Sequence, residues 1–252
     1  MSQGLKKDVE KSLVVMCNRI GFKKKQYYFI KPIDNNVMAT LHFGITTQSI
    51  KMHIYVNLTI GVSHRKIEEL YAKLTGNDNG LIQSTIGLQI GYLMPGNSFK
   101  EWEFTENRDN APIYEDMLKQ IQMYGLPFQE KMKDFNNLFE AIDKREPGIL
   151  NQARDRYLPI LYYLKGDKQK GLETIEAAIS RQQTPLTDKE IKKTSSGETV
   201  VLRADSDKKV GAEVMDNLLR NFPSGGSIVI IGSGIGKLDP EYLKFAERYR
   251  AL

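Results

Sequence analysis

Between Ser227 and Lys237 the chain reads Ser-Ile-Val-Ile-Ile-Gly-Ser-Gly-Ile-Gly-Lys, an apolar run into glycines and a lysine that suggests a phosphate-binding loop. A dinucleotide fingerprint needs Gly-x-Gly-x-x-Gly, so that two glycines admit the pyrophosphate and a third lets helix and strand pack closely. Gly232 and Gly234 fit, but Lys237 holds the third position and Gly236 comes one residue early. A P-loop needs a glycine where Ile231 stands and a metal-binding hydroxyl where Leu238 stands. Fifteen residues follow Lys237, room for one helix but not for the returning strand of a βαβ unit. The expectation is structural: a buried strand Ile228–Ile231, a turn, and a terminal helix. Asp239 would cap that helix, Pro240 would open it, and Tyr242, Phe245, Ala246 and Tyr249 would form its apolar face.

The remaining chemistry-bearing residues are sparse. Histidine occurs only as His42, His53 and His64. A four-residue loop Thr46–Ser49 between two alternating strands would put His42 opposite His53, where two imidazoles could share a metal. No carboxylate is placed to complete such a site, so no metal and no cofactor are expected. Glu68-Glu69 lies on a short charged helix and reads as a solvated face. Cys17, the single cysteine, lies in the apolar run Leu13–Cys17 and reads as a small buried hydrophobe. It allows neither an internal disulfide nor a cysteine zinc site. No Gly-x-Ser-x-Gly elbow is present, and catalytic residues are expected to be absent.

Lys23-Lys24-Lys25 beside Tyr27, Tyr28 and Phe29 is a different kind of signal. Lysines could grip phosphates while rings stack on bases, they could meet an acidic protein surface, or the run could be a solvated turn before a sheet strand whose aromatics face the core. The charge distribution disfavours nucleic acid. The chain carries +5 overall, with +6 in residues 1–31, −1 in residues 32–108, and 22 basic against 22 acidic side chains in residues 109–252. A nucleic-acid footprint would be broader than one segment. Lys23, Lys24, Lys25 and Tyr28 are the expected partner-binding residues.

Behind these residues stand readable elements. Leu5–Ile20 is an amphipathic helix stopped by Gly21. An aromatic strand Gln26–Ile30 follows, then two long strands in which Val37, Ala39, Leu41, Phe43 and Ile45, and then Ile50 through Ile60, alternate with polar residues. A helix from near Ser63 to Thr75, strand material at Ser84–Leu93 and Lys100–Thr105, and a sheet-packed Trp102 complete an α+β domain with an antiparallel sheet, residues 1–108. Residues 109–252 read as mostly helical. Spans Ala111–Tyr124, Phe128–Lys144, Ile149–Leu164 and Lys168–Gln182 are followed by an exposed loop at 192–197, a short strand Val200–Leu202 and a helix Val210–Asn221. The pair around Gly166-Asp167 has the character of one tetratricopeptide-like hairpin, without repetition. No apolar run reaches transmembrane length, and Met1–Asp8 lacks the apolar core of a secretory signal, so a cytoplasmic protein is expected.

The opening helix, Ile-Gly-Phe-Lys-Lys-Lys, the aromatic strand and the paired alternating strands over residues 5–105 resemble the bacterial domain-of-unknown-function family 4304. The ending Gly-Lys-Leu-Asp-Pro-Glu-Tyr-Leu-Lys-Phe-Ala-Glu-Arg-Tyr is similar to the tails of proteins from polymorphic-toxin and immunity neighbourhoods. The resemblance implies a cytoplasmic protein that neutralises a partner toxin or effector by direct binding. Inhibitors of nuclease toxins are often acidic and this chain is basic, which leaves the toxin's chemistry open. The competing class is an enzyme or small-ligand protein with a cleft between its halves. A deep pocket holding shifted carboxylates or both histidines would mark it. An exposed patch rich in Tyr and Trp would mark the binder.

Overall fold

The opening helix α1, Ser2–Arg19, buries Leu5, Val9, Leu13, Met16 and Cys17 along one stripe. It stops at Gly21, whose φ of +83° is the left-handed conformation a glycine cap supplies. The Phe22 N–H then donates back to Cys17 O at 3.0 Å. The computed structural model describes residues 2–48, 53–76, 83–144, 146, 151–183, 189–194, 197–203, 227–231 and 239–252.

Next comes a hairpin that the lysine run conceals. Lys23–Lys25 is itself a strand, β1, paired with β2, Tyr28–Asp34, through Lys25↔Tyr28. Gln26 and Tyr27 make the turn, with Gln26 at φ +53°. Tight hairpins advertise themselves through Asn-Gly or Asp-Gly, and Gln-Tyr does not. The next two strands, β3 (Val37–Gln48) and β4 (His53–His64), pair without interruption from Val37↔His64 to Gln48↔His53. Ile54, Val56, Leu58, Ile60 and Val62 are wholly buried on one face, and an odd register sum keeps them beside Leu41 and Ala39.

The helix α2, Arg65–Thr75, closes at Gly76 with φ +76°. Only Ile86–Gln89 of the expected Ser84–Leu93 stretch is strand (β5), followed by a 3-10 turn Ile90–Leu93. β6, Glu101–Phe104, holds Trp102 against Val56. The six strands form one antiparallel sheet of uneven width. Beside Thr59–Val62 of β4 it is five strands wide, β1-β2-β3-β4-β5. Beside Ile54–Asn57, where β6 replaces β5, it is three strands wide, β3-β4-β6.

Gly125-Leu126-Pro127 does not break the helical run as expected. α3 (Ala111–Gln120) continues through a π-helical turn, Ile121–Gly125, into α4 (Leu126–Met132). Proline at the start of α4 needs no backbone donor, and Gly125 lets the turn approach Ile60, whose Cδ1 is 3.1 Å from where a Cβ would stand. Gln129 of α4 donates to Thr40 O at 2.9 Å and Gly61 O at 3.0 Å, fixing the helix to the sheet. The expected Phe128–Lys144 helix is two helices. Asp134 caps α5, Phe135–Asp143, by accepting from the Asn137 N–H at 2.9 Å. α6 (Asn151–Leu164) and α7 (Lys168–Gln183) flank a turn at Gly166, φ +85°.

The chain divides into compact units at Gly171 and Leu172, whereas the change of element type in the sequence falls at residue 108. The fold is α+β. The second unit holds a mixed sheet in which β7 (Lys189–Thr194) pairs antiparallel with β8 (Gly197–Arg203), and β8 pairs parallel with β9 (Ser227–Ile231). The expected loop at 192–197 is therefore mostly strand. Polar residues suit an antiparallel ladder with one solvated side, and composition alone does not separate it from a loop. The helix expected at 210–221 and the glycine turn at 232–238 lie outside the described residues. The last helix, α8 (Pro240–Arg250), matches expectation. Asp239 accepts from the Glu241 N–H at 3.0 Å, and Tyr242, Phe245, Ala246 and Tyr249 are buried.

Candidate functional site

The first place where polar groups converge is Glu68. α2 follows β4 directly and buries Ile67 and Leu74, which turns Glu68 inward and leaves Glu69 outward on an i,i+4 pair with Arg65 at 2.7 Å. The expected solvated pair is thus half solvated. Glu68 Oε1 accepts from Thr85 Oγ1 at 2.6 Å, and Oε2 accepts from Tyr157 Oη of α6 at 3.2 Å. Each hydroxyl is held in turn. Thr85 accepts from the His64 N–H at 2.9 Å, and Tyr157 accepts from Gln83 Nε2 at 2.9 Å. Tyr71 stacks on Tyr157 at 5.1 Å, and its own hydroxyl accepts from Arg156. Burial lifts the Glu68 carboxyl to about 7, the two hydroxyls only partly countering it. Both carboxylate oxygens are occupied by protein donors, so the group ties α2, the approach to β5, and α6 together.

The histidines are not brought together. His42 pairs with Thr59 and His53 with Gln48. Six residues of β4 separate Thr59 from His53, about 20 Å along a strand. The strands run on to Gln48 and resume at His53, so the register moves three residues along each strand from the one expected. His42 lies against the Tyr28 ring at 5.3 Å, and burial lowers its pKa. His53 Nδ1 is 2.7 Å from Glu103 Oε1, which also accepts from Tyr55 Oη at 2.8 Å. These bonds hold the Glu103 carboxyl below its ordinary value. Among the described residues no group of three or more His, Cys, Asp or Glu side chains is arranged to hold a metal ion.

A cavity of about 380 Å³ is lined by Asn36, His64, Lys66, Ile67, Phe135 and Leu164. His64 donates from Nε2 to Met132 O at 2.8 Å, and burial keeps its pKa low, so it is neutral near pH 7. Glu68, His42 and His53 do not line this cavity. Cys17 is fully buried, and burial pushes its thiol up to about 12, far from a working nucleophile.

The lysine hairpin is the second place of interest. Lys23, Lys24 and Lys25 are all exposed at the sheet's edge. Tyr28 is only half-buried, but it is engaged with His42 and hydrogen-bonded to Ser84, so it belongs to the sheet face. The aromatic ring that accompanies the lysines is Tyr27, 76% exposed at the turn. Strand alternation beyond a two-residue turn decides between these neighbours, and the turn was the unreadable part. Trp102 offers no anchor, being buried with Nε1 donating to Asp116 Oδ2 at 2.7 Å.

Comparison with family models, with curated proteins and with solved structures returns no match. The resemblance drawn over residues 5–105 and in the tail stands on those residues alone. Among the described residues no helix is long and apolar enough to cross a membrane.

Proposed function

We propose that this chain is a non-catalytic protein-binding module, in its sharpest form a cytoplasmic immunity or inhibitor protein that neutralises a partner toxin or effector by direct contact. The observation that carries the reading is the β1–β2 hairpin. It presents three exposed lysines and an exposed tyrosine on a turn joined to a six-stranded sheet. Tyrosine brings contact area at low entropy cost, and clustered lysines steer an acidic surface into place. The basic excess of residues 1–31 lies in this region and in α1, while the rest of the chain is close to neutral. That concentration favours one acidic patch on a protein over an extended nucleic-acid backbone.

The enzyme reading has one observation in its favour, the Glu68 carboxyl at about 7. Its oxygens are engaged by Thr85 and Tyr157, and it does not itself line the cavity at His64, Lys66 and Ile67, so the binding reading is the stronger.

Affinity capture from the native cell with mass spectrometry tests it, comparing the natural chain with a Lys23→Glu, Lys24→Glu, Lys25→Glu variant. A stoichiometric partner lost from the variant is expected, and co-production should abolish that partner's toxicity. Recovery of no stoichiometric protein, or equal recovery on the charge-reversed chain, would sink the reading.

A further inference from the structure

The sheet's uneven width leaves one strand half uncovered. β2 pairs with β3 only as far as Phe29↔Leu41, while β3 continues to Gln48. Beyond His42, one side of β3 pairs with β4. Among the described residues no strand or loop backbone pairs with the other side, Phe43–Gln48. In an antiparallel ladder every second residue turns both its N–H and its C=O toward the neighbour that is missing here. Six residues give an open edge about 20 Å long.

Natural sheets guard such edges with lysine, proline or a bulge. β1, on the neighbouring edge, is guarded in that way, being three exposed lysines. Phe43-Gly-Ile-Thr-Thr-Gln48 has no charge and no proline, and its register with β4 runs without a shift. Phe43, Gly44, Ile45 and Thr47 are partly exposed and Thr46 is exposed, so the edge is reachable.

We propose that this edge accepts an extended acidic segment of the partner protein as an added strand, an inference that rests on the protein-binding reading above. The occupant follows from what surrounds the edge. A strand added beside Phe43–Gln48 lies in line with β2 and ends at the β1–β2 turn, against Lys24, Lys25 and Tyr27. Lys25 pairs with Tyr28, and the Tyr28 ring lies on His42, so Lys25 shares the face that carries Gly44 and Thr46. Phe43 and Ile45 continue the opposite face, where Phe43 meets Phe29 edge-on at 5.4 Å. The segment that fits therefore alternates, with acidic residues on the Lys25 face and β-branched residues beside Phe43 and Ile45.

The test uses the full chain and three synthetic ten-residue peptides: alternating Glu-Val, alternating Lys-Val, and Glu-Pro. The last keeps the charge but cannot form the ladder. Amide hydrogen exchange is followed at residues 43–48, with sedimentation to record the oligomeric state. Glu-Val is expected to slow exchange of alternate amides in this stretch at least tenfold and to bind at least tenfold tighter than either of the others. Absence of slowing at 43–48 overturns the proposal, as does equal slowing by Lys-Val. Glu-Pro binding as tightly as Glu-Val would mean that the lysines read charge alone, which also overturns it. Protection at 43–48 without peptide, accompanied by dimers, would assign the edge to a second copy. A captured partner that needs the lysines but leaves amides 43–48 unprotected would retain the module and remove the strand.

Discussion

Glu68 shows how one residue can set a pH dependence. Its folded carboxyl stands near 7 against an ordinary 4.5, so the folded chain holds the proton more tightly than the unfolded one. That contribution is fully present below about 4.5 and is lost as pH rises to about 7, a change of ~3 kcal/mol. His42 and His64 act in the opposite sense. Burial lowers their pKa values, so their contribution is present above 6.5 and lost as pH falls. Glu68→Gln should isolate one of these opposed components. Urea titrations at pH 5 and pH 8 are expected to show the variant gaining ~2–3 kcal/mol relative to the natural chain on going to pH 8. A difference that does not change with pH would mean that Glu68 is ionised throughout. Spacing on α2 could have separated Glu68 from Glu69, since Ile67, Tyr71 and Leu74 mark the inward face. Its partners could not be read. Thr85 and Tyr157 lie 17 and 89 residues away and show no local pattern.

At the scale of elements, glycines on the central strands discriminate between backbone and side-chain constraint. A Cβ on Gly61 of β4 would stand 2.6 Å from Ile86 O and 2.8 Å from the hydroxyls of Thr40 and Ser84. On Gly44 of β3 the obstruction is the Asn57 amide, at 2.7 Å, which can rotate away. Gly61→Ala is expected to destabilise by ~3 kcal/mol and Gly44→Ala by under ~1 kcal/mol in chemical denaturation. Equal losses would show that the sheet relaxes around both. The elements themselves were legible where one period held over many residues: α1 and α8 by their apolar stripes, β3 and β4 by alternation. They were illegible where backbone geometry departs from the usual residues, as at the Gln26-Tyr27 turn and the π-helical passage before Pro127. The candidate site divides in the same way. Composition exposed the lysines at once, but naming Tyr27 over Tyr28 required the turn, and the open half of β3 required the lengths of β2 and β3.

For the molecule as a whole, charge is the property that reaches furthest. With the positive excess confined to residues 1–31 and the remainder near balance, attraction of an acidic partner is directional. Association with the captured partner should slow at least tenfold between about 20 and 300 mM salt, and the lysine-reversed chain should lose that dependence. Stopped-flow mixing would decide it; salt-independent association would mean that contact area, not charge, drives encounter. The uninterrupted β3–β4 ladder carries a consequence of another kind, for the order in which the chain acquires its shape. Its pairs radiate from Gln48↔His53, so closing it asks for little loop entropy. The Tyr157 bond to Glu68 waits on a residue 89 positions away. We expect the hairpin to form early and α6 to dock late, with φ-values near 1 for Val56→Ala and near 0 for Tyr157→Phe. The open edge of β3 would then be the oldest surface of the folding chain, exposed before the helices arrive, and most in need of a partner or of speed.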